Sequence, residues 1–188
     1  MKNMLWFLLF FFTSITLLAY MHRKQYTYCN NGQMTALDKS IKMNGYYVTK
    51  VGNMLEPNFF YKDGSFANCI TFIDSQNIEK LFNVDKRHKY YISGRVWVRW
   101  GRYVLAGDTI KTQSFYTWAI AASRVTEIWF LIKNDSTLEE IKNRSYEKNN
   151  IFSDHLPTNS DKFSHFVAHS NKPDSVSWLN KKSWYYCK

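Results

Sequence analysis

The sequence has little cysteine and glycine, and it lacks the short motifs by which several large enzyme classes are recognised. It contains no Gly-x-Ser-x-Gly, no His-Glu-x-x-His and no phosphate-binding glycine-rich loop, and its 7 glycines stand singly. The signatures of serine hydrolases, zinc proteases and nucleotide-binding enzymes are therefore excluded. A catalytic triad assembled from distant residues needs no local signature, but nothing in the sequence identifies one, and we predict neither catalytic residues nor a cofactor.

Long hydrophobic runs are absent except at the N-terminus. Residues 4–21 form an uncharged apolar run between Lys2 and the basic group His22-Arg23-Lys24, which is the pattern of an export signal. The run is also about long enough to cross a membrane, since a span needs roughly 17 to 25 residues.

The chain divides shortly after that run. Leu17 and Ala19 match the small-residue cleavage pattern of signal peptides poorly, which favours an uncleaved anchor over a cleaved signal. We predict a signal or membrane anchor in residues 1–24, a linker in residues 25–43 and one domain in residues 44–188. The predicted location is the cell envelope, with the domain anchored in the membrane or exported to the periplasm or outer surface.

The 3 cysteines, Cys29, Cys69 and Cys187, are far apart in the sequence. No two of them have the close spacing of zinc ligands, so they predict no metal site. An exported domain enters a compartment that permits disulfides, and three cysteines allow three single bridges, each of which leaves one thiol over. A bridge between Cys29 and Cys187 would tie the start of the domain to its end.

The chain carries an excess of positive charge, with 25 Lys and Arg against 15 Asp and Glu and a formal net charge of +10. This charge suits a phospholipid surface or another anionic partner. The basic residues are scattered, and their densest clusters are short and match no nucleic-acid-binding module. We therefore predict compatibility with a membrane surface and no nucleic-acid partner.

Short aromatic and β-branched runs separated by turn residues dominate the domain. Aromatic residues make up 18% of the chain, and strands accept them more readily than turns do. The pattern predicts strands within residues 45–52, 58–72, 90–100, 100–115, 125–132 and 162–170. Six or more strands joined by tight turns favour an antiparallel meander that closes into a barrel, because closure removes exposed sheet edges. The predicted fold class is all-β with one or two short helices, preceded by an N-terminal hydrophobic helix.

The first hairpin is predicted around Asp63-Gly64, a dipeptide that tolerates the backbone of a two-residue turn. That loop would place Tyr61 opposite Phe66, an aromatic cross-strand pair.

The second hairpin is predicted around Gly107-Asp108 in the stretch WGRYVLAGDTIKTQSF. One face is predicted to be buried, and its pairs are Leu105 with Ile110 and Tyr103 with Thr112. The other face is predicted to be in water, and its pairs are Val104 with Lys111 and Arg102 with Gln113. An antiparallel sheet with one buried face shows this alternation.

Some segments lack the strand pattern. Residues 74–89 are predicted to be a short helix or a long loop. Residues 136–143 begin with Ser136 and continue with Glu139, the spacing of a helix capping box, and are predicted to be helical. Residues 144–161 are polar and predicted to be a loop. A turn at Pro173-Asp174 precedes an aromatic end that is predicted to be a plug or an edge strand.

Three stretches resemble small exported lipocalin-like proteins of bacterial cell envelopes. They are GYYVTKVGNMLEPNFFYKDGSF, WGRYVLAGDTIKTQSF with the strand ending in KND, and the tail KPDSVSWLNKKSWYYCK. The resemblance covers residues 44–188. It implies a β-barrel or barrel-like sheet presented in the periplasm or at the outer surface, and it implies no particular substrate.

Aromatic residues on the predicted strands are the candidate ligand-binding residues: Tyr46, Phe66, Tyr103, Trp129 and Phe130. A barrel of about eight strands can enclose one small ligand or be filled by its own side chains. These aromatic side chains therefore either line an apolar cavity or form a packed core.

The predicted function is a non-enzymatic, lipocalin-like envelope protein that binds an apolar or amphipathic small molecule. The alternative is a structural module that binds an envelope protein. A hydrolase acting on envelope material is a further alternative, with His155, His165 or His169 as the base. His165 and His169 would share one face of a strand, but no further ligand accompanies them, so no metal ion is predicted.

Overall fold

The computed structural model describes residues 27–29, 36–52, 54–71, 96–117, 123–146, 152–154, 160–170 and 172. A short 3-10 helix, Leu37–Lys39, precedes the strands. The strands are β1 Gly45–Val51, β2 Met54–Phe60, β3 Ser65–Thr71, β4 Val96–Ala106, β5 Thr109–Thr117, β6 Ser123–Asn134, β7 Thr137–Tyr146, β8 Phe152–Asp154 and β9 Ser160–Ala168.

The strands form one antiparallel sheet that closes on itself. Each strand from β1 to β7 pairs with the next, and β9 pairs with both β1 and β7. This closes an eight-stranded barrel, with β8 as a short addition at the end of β7. The predicted all-β meander and barrel are confirmed, and the architecture is compatible with a lipocalin-like fold.

The predicted N-terminal hydrophobic helix, residues 1–24, lies outside the described residues. In the part of the chain that the structure describes, no helix has the length and apolar character needed to cross a membrane.

One half of the barrel interior is filled by a packed apolar core. Its largest members are Tyr47, Phe60, Phe66, Tyr103 and Phe130, all fully buried. The Phe60 ring lies 5.2 Å from the Phe66 ring, 5.6 Å from the Tyr103 ring and 5.9 Å from the Phe130 ring between centroids. These are ordinary contact distances for aromatic pairs, so this half of the barrel is solid.

The 3-10 helix closes the apolar end of the barrel. Leu37 and Ile41 are buried against the core. The Tyr47 hydroxyl donates to the Asp135 carbonyl at 2.6 Å, and the Tyr103 hydroxyl donates to the Tyr61 carbonyl at 2.7 Å. Both buried phenols are therefore hydrogen-bonded at this end, as buried polar groups require.

A second apolar cluster lies on the outer face of β1 to β4. It consists of Tyr46, Phe59, Tyr61, Ala67 and Cys69, which alternate along the strands with the inner residues and are also buried. This part of the barrel wall therefore has apolar side chains on both faces.

The second hairpin has the predicted register. β4 and β5 pair Leu105 with Ile110, Tyr103 with Thr112, Val104 with Lys111 and Arg102 with Gln113. The inner face is buried as predicted. The prediction for the outer face is wrong at Arg102 and Gln113, which are buried. Gln113 lies beneath the N-terminal stretch at Thr27, a contact between distant parts of the chain that the hairpin alone does not reveal.

The first hairpin differs from the prediction by one residue. Phe60, and not Tyr61, lies opposite Phe66. The loop has three residues: the Gly64 amide donates to the Tyr61 carbonyl at 3.0 Å, and Gly64 follows in the left-handed region with φ 80°. A type I turn followed by a left-handed residue is the common three-residue loop. The shift places Tyr61 on the outer face, away from Phe66.

The helix predicted for residues 136–143 is wrong, since this segment lies in β7 after a tight turn. The Ser136 amide donates to the side chain of Asn134 at 2.9 Å, which stabilises a turn and not a helix cap. Glu139 contacts Lys133 on β6 and Lys162 on β9. Pairing of β7 with both of these strands outweighs the local capping signal.

The remaining predictions concern other strands and loops, and some of them are confirmed while one is corrected. The strands predicted at residues 45–52, 125–132 and 162–170 correspond to β1, β6 and β9. The loop predicted at residues 144–161 is corrected in part, because it contains the end of β7 and all of β8. The predictions for residues 74–89 and for the tail from Pro173 lie outside the described residues.

Candidate functional site

The inward-facing side chains change from apolar to polar along the barrel axis. Positions two or four residues from the apolar core side chains on each strand also face inward. At the end away from the 3-10 helix these positions form the polar interior: Thr49, Glu56, Asn58, Asn68, Arg99, Ser114, Thr126, Glu140, Asn143, Ser145 and Ser164. Soluble barrels fill or solvate such positions, and a polar lining suits a polar guest.

A chain of side-chain hydrogen bonds crosses four adjacent strands in the polar interior. The hydroxyls of Ser164 and Thr49 are hydrogen-bonded to each other between β9 and β1. The Asn58 amide nitrogen on β2 is 3.5 Å from the Thr49 hydroxyl and 3.2 Å from the Glu56 carbonyl. The Asn68 amide nitrogen on β3 donates to the Asn58 side-chain oxygen at 2.8 Å. These bonds hold the polar side chains in fixed positions.

The side-chain oxygen of Asn68 and the hydroxyl of Ser114 have no hydrogen-bond partner among the described residues, and both residues have 0% exposure. A buried polar atom without a hydrogen bond costs about 1–3 kcal/mol, so such atoms usually meet water or a ligand. An acceptor and a hydroxyl of the polar half therefore remain available for a hydrogen bond.

Glu140 adds a titratable group to the polar interior. Its carboxylate accepts a hydrogen bond from the Asn143 amide at 2.9 Å, and the residue is 8% exposed. The pKa of Glu140 is raised to about 7, chiefly by burial; the Asn143 hydrogen bond opposes this shift, the negative charge of Glu56 adds to it, and the Arg99 charge opposes it. Near neutral pH this carboxyl group is able both to donate and to accept hydrogen bonds.

The structure brings together three of the five predicted ligand-binding residues. Phe66, Tyr103 and Phe130 meet in the packed apolar core. Tyr46 lies in the outer cluster, with its ring 5.5 Å from the Phe59 ring. Trp129 lies on the outer face of β6. The set is thus divided between the inside and the outside of the barrel.

The polar interior was not predicted from the sequence, although a signal for it exists. Phe66 faces the core, and alternation along the strand places Asn68, two residues later, on the same face. The same step from Leu138 places Glu140 inside. That second step needs β7 to be a strand, whereas the capping pattern of Ser136 and Glu139 predicts a helix there.

The histidines considered as bases do not face the polar interior. His165 is exposed on β9, and His169 packs outside the barrel with its ring 6.0 Å from the Tyr46 ring. His155 lies outside the described residues. Within the described part of the chain, no group of three His, Cys, Asp or Glu side chains is placed to hold a metal ion.

The cysteines have different states. Cys29 is disulfide-bonded, and Cys69 is a free thiol in the outer cluster. Burial raises the pKa of Cys69 to about 12, so the thiolate that reacts with oxidants or metals is scarce. Cys187 lies outside the described residues, and the Cys29–Cys187 pair stays a prediction.

A surface groove of about 620 Å³ lies beside the 3-10 helix. Its charged side chains are largely paired: Lys42 with Asp135 at 3.3 Å and Lys62 with Asp38 at 2.9 Å. Lys172 donates to the carbonyls of Met43 and Phe60. Since these groups satisfy one another, the groove is a weaker candidate site than the polar interior.

A separate buried polar cluster lies on the outer face of β5 to β7, around Glu127. This residue is 3% exposed. Its carboxylate accepts hydrogen bonds from Arg144 at 2.8 Å, from the Trp129 indole and from the Gln113 amide at 3.2 Å. Pairing with Arg144 and hydrogen bonds to both oxygens make burial of this charge possible.

The N-terminal stretch is attached to this cluster. The backbone amides of Thr27 and Tyr28 donate to the Gln113 side-chain oxygen at 2.8 and 3.1 Å. The Gln113 nitrogen donates to the Thr27 hydroxyl at 3.0 Å. The stretch that precedes the domain is thereby fixed to one side of the barrel.

Comparison of the chain with protein-family models, with curated proteins and with solved structures finds no match.

Proposed function

We propose that this chain is an exported, lipocalin-like protein of the cell envelope that binds a small polar or amphipathic molecule in the polar interior of its barrel. The observation that carries the proposal is that buried polar atoms of Asn68 and Ser114 have no partner among the described residues, in the same half of the barrel as a titratable carboxyl group. The protein needs no catalytic residues for this role.

The arrangement of the interior favours a guest whose polar part enters the barrel. The aromatic rings at the capped end are already in contact with one another. No space remains among them for the apolar tail of a ligand. At the other end the side chains offer hydrogen-bond donors, acceptors and the carboxyl groups of Glu56 and Glu140. A ligand bearing hydroxyl, amide or amine groups matches this lining, with any apolar portion directed out of the barrel.

The envelope location is supported by two features. The apolar run at residues 4–21 has the composition of an export or anchor segment. Cys29 is disulfide-bonded, and disulfides persist mainly outside the reducing cytosol.

The ligand is tested by native mass spectrometry of the full chain, purified from the envelope of its own host and compared with the denatured chain. We expect extra mass that is lost on denaturation. Ser114→Ala is the informative variant, because removal of a ligand-bonded hydroxyl lowers occupancy by about tenfold. In an empty barrel the same change removes an unsatisfied hydroxyl and raises stability without changing any bound mass.

The matched control is Val104→Thr, which changes an exposed residue on the outer face of β4. It is expected to keep the wild-type ligand occupancy. Asn68→Leu provides a second variant that is expected to lower ligand occupancy; unlike Ser114→Ala, it also breaks the hydrogen bond from Asn68 to Asn58. A wild-type chain without bound mass, or equal bound mass in all four proteins, contradicts the proposal and directs attention to a protein-binding role.

A further inference from the structure

Two lysines flank a tryptophan on the outer face of the barrel. Lys111 on β5 lies opposite Trp129 on β6, and Trp129 lies opposite Lys142 on β7. The side chains of directly opposed residues are neighbours in a sheet. We call Lys111, Trp129 and Lys142 the lysine–tryptophan row.

Both ammonium groups of this row lie near the same ring. Lys111 Nζ is 4.4 Å and Lys142 Nζ is 4.8 Å from the centroid of the Trp129 ring. Neither ammonium has a carboxylate partner among the described residues, whereas Lys133 and Lys162 both contact Glu139. The Glu127 carboxylate that contacts the Trp129 indole is paired with Arg144, so the positive charges of Lys111 and Lys142 remain available to an anion from outside the barrel.

The row lies next to the point where the N-terminal stretch joins the barrel. Gln113, which binds Thr27, is two residues from Lys111 on β5, or about 7 Å along a strand. The apolar run ends near residue 21, and the chain from there to Thr27 spans at most about 20 Å when extended. An anchor in residues 4–21 would therefore hold this side of the barrel close to the membrane surface.

We propose that the lysine–tryptophan row binds the headgroups of anionic phospholipids and thereby fixes the β5–β7 side of the barrel against the membrane. Tryptophan favours the interface between lipid and water, and lysines beside it are attracted to anionic headgroups. His22, Arg23 and Lys24 add charge of the same sign between the apolar run and the barrel. This role of the row rests on the envelope location given in the proposed function, and it does not require a ligand in the barrel.

The test uses the full chain reconstituted into two kinds of vesicle, one of phosphatidylcholine and one with roughly a third of phosphatidylglycerol. A water-soluble amine reagent labels exposed lysines, and peptide mass spectrometry measures the rate at each position. We expect Lys111 and Lys142 to react about fivefold more slowly in the anionic vesicles. High salt is expected to restore their rates, because it screens surface charge.

Lys50 on β1 and Lys162 on β9 serve as internal controls, since they are exposed lysines on strands outside β5–β7. Their rates are expected to be equal in both vesicles. Equal rates at Lys111 and Lys142 as well would overturn the proposal. If the host removes the N-terminal segment, the mature chain is floated with the same vesicles, and binding only to the anionic ones is expected.

The double variant Lys111→Gln/Lys142→Gln separates this row from the general positive charge of the chain. Its control, Lys50→Gln/Lys162→Gln, removes the same number of charges from β1 and β9. We expect only the first pair to abolish quenching of Trp129 by brominated phosphatidylglycerol, measured as the difference from a Trp129→Phe chain. Equal quenching in both double variants also contradicts the proposal. Neither result depends on whether the barrel holds a ligand.

Discussion

Glu139 and Glu140 are neighbours in the chain but have opposite surroundings. Glu139 faces outward, and hydrogen bonds and charges from Lys162 and Lys133 lower its pKa. Glu140 faces inward, where burial raises its pKa to about 7. The difference arises because successive residues of a strand point to opposite faces of the sheet. Ionisation of Glu139 therefore stabilises the barrel, whereas ionisation of Glu140 destabilises it.

The stability of the barrel is expected to fall as pH rises through the range in which Glu140 titrates. A carboxyl group whose pKa is higher in the folded state than in the unfolded state binds more protons when folded. From its ordinary value of 4.5 up to about 7, each pH unit lowers the free energy of unfolding by up to about 1.4 kcal/mol, roughly 3 kcal/mol in all. Glu140→Gln is expected to remove this loss, as measured by urea unfolding between pH 4.5 and 8.

Glu139→Gln is the control for that experiment. The lowered pKa of Glu139 contributes stability above its unfolded value, which is lost as pH falls. This variant should therefore keep the decline in stability toward pH 7 that the wild type shows. If Glu140→Gln and wild type decline equally, Glu140 does not titrate in a buried setting, and its place in the polar interior is wrong.

At the scale of elements, the two tight hairpins show what local sequence determines. The β4–β5 register follows from Gly107-Asp108 and from alternation on both sides of that loop. The β2–β3 hairpin contains an equally clear Asp63-Gly64 pair, yet its loop has three residues and not two. The dipeptide is compatible with both loops, so it specifies a hairpin without specifying its register.

Element type was predictable where alternation was strong and was not predictable at β7. Ser136 and Glu139 match a helix cap, but Leu138 and Glu140 are inner residues of a strand. The decisive contribution is pairing with β6 and β9 on both sides, which involves residues distant in the sequence. Because the segment was predicted to be helical, Glu140 was not predicted to face the core, and the candidate site was therefore missed.

β4 and β5 approach each other so closely at Gly101 that this position has no room for a larger side chain. An alanine methyl group there would lie 1.8 Å from the Gln113 carbonyl oxygen and 2.6 Å from the Ser114 Cα atom. Both belong to backbone, which cannot move without breaking the ladder. Gly101→Ala is expected to lower the free energy of unfolding by more than about 3 kcal/mol or to prevent folding.

Gly107→Ala is the matched control on the same hairpin. It has open space around the position, and only its φ of +63° disfavours an alanine, at a cost of about 1–2 kcal/mol. Urea unfolding followed by near-ultraviolet circular dichroism distinguishes the two variants. A smaller loss for Gly101→Ala than for Gly107→Ala would contradict the close packing of the two strands.

At the scale of the whole molecule, the barrel has unlike ends. The tight turns and the 3-10 helix close an apolar end, while the polar interior lies at the other. The alternation of single strands predicts the barrel but not this difference, because it depends on which strands lie side by side. The chain of hydrogen bonds from Ser164 to Asn68 joins residues of β9 and β3, which only closure of the sheet brings near each other.

The disulfide at Cys29 is the covalent counterpart of the contact between Thr27 and Gln113. Since Cys69 is a free buried thiol, we expect non-reducing peptide mass spectrometry to find Cys29 linked to Cys187. Such a bridge joins the two ends of the domain and limits the freedom of the unfolded chain. Cys29→Ser is expected to lower the free energy of unfolding by roughly 2–5 kcal/mol.

Reduction provides the check on that prediction. Dithiothreitol should reduce the stability of the wild type to that of Cys29→Ser and should leave the variant unchanged. Cys69→Ala, which removes the free thiol, should keep the full response to dithiothreitol. A peptide linking Cys29 to Cys69, or a wild type whose stability ignores the reductant, would contradict the predicted pairing. Loss of the bridge is also expected to expose the backbone amides of Thr27 and Tyr28 to hydrogen exchange, because their bonds to Gln113 then hold the N-terminal stretch alone.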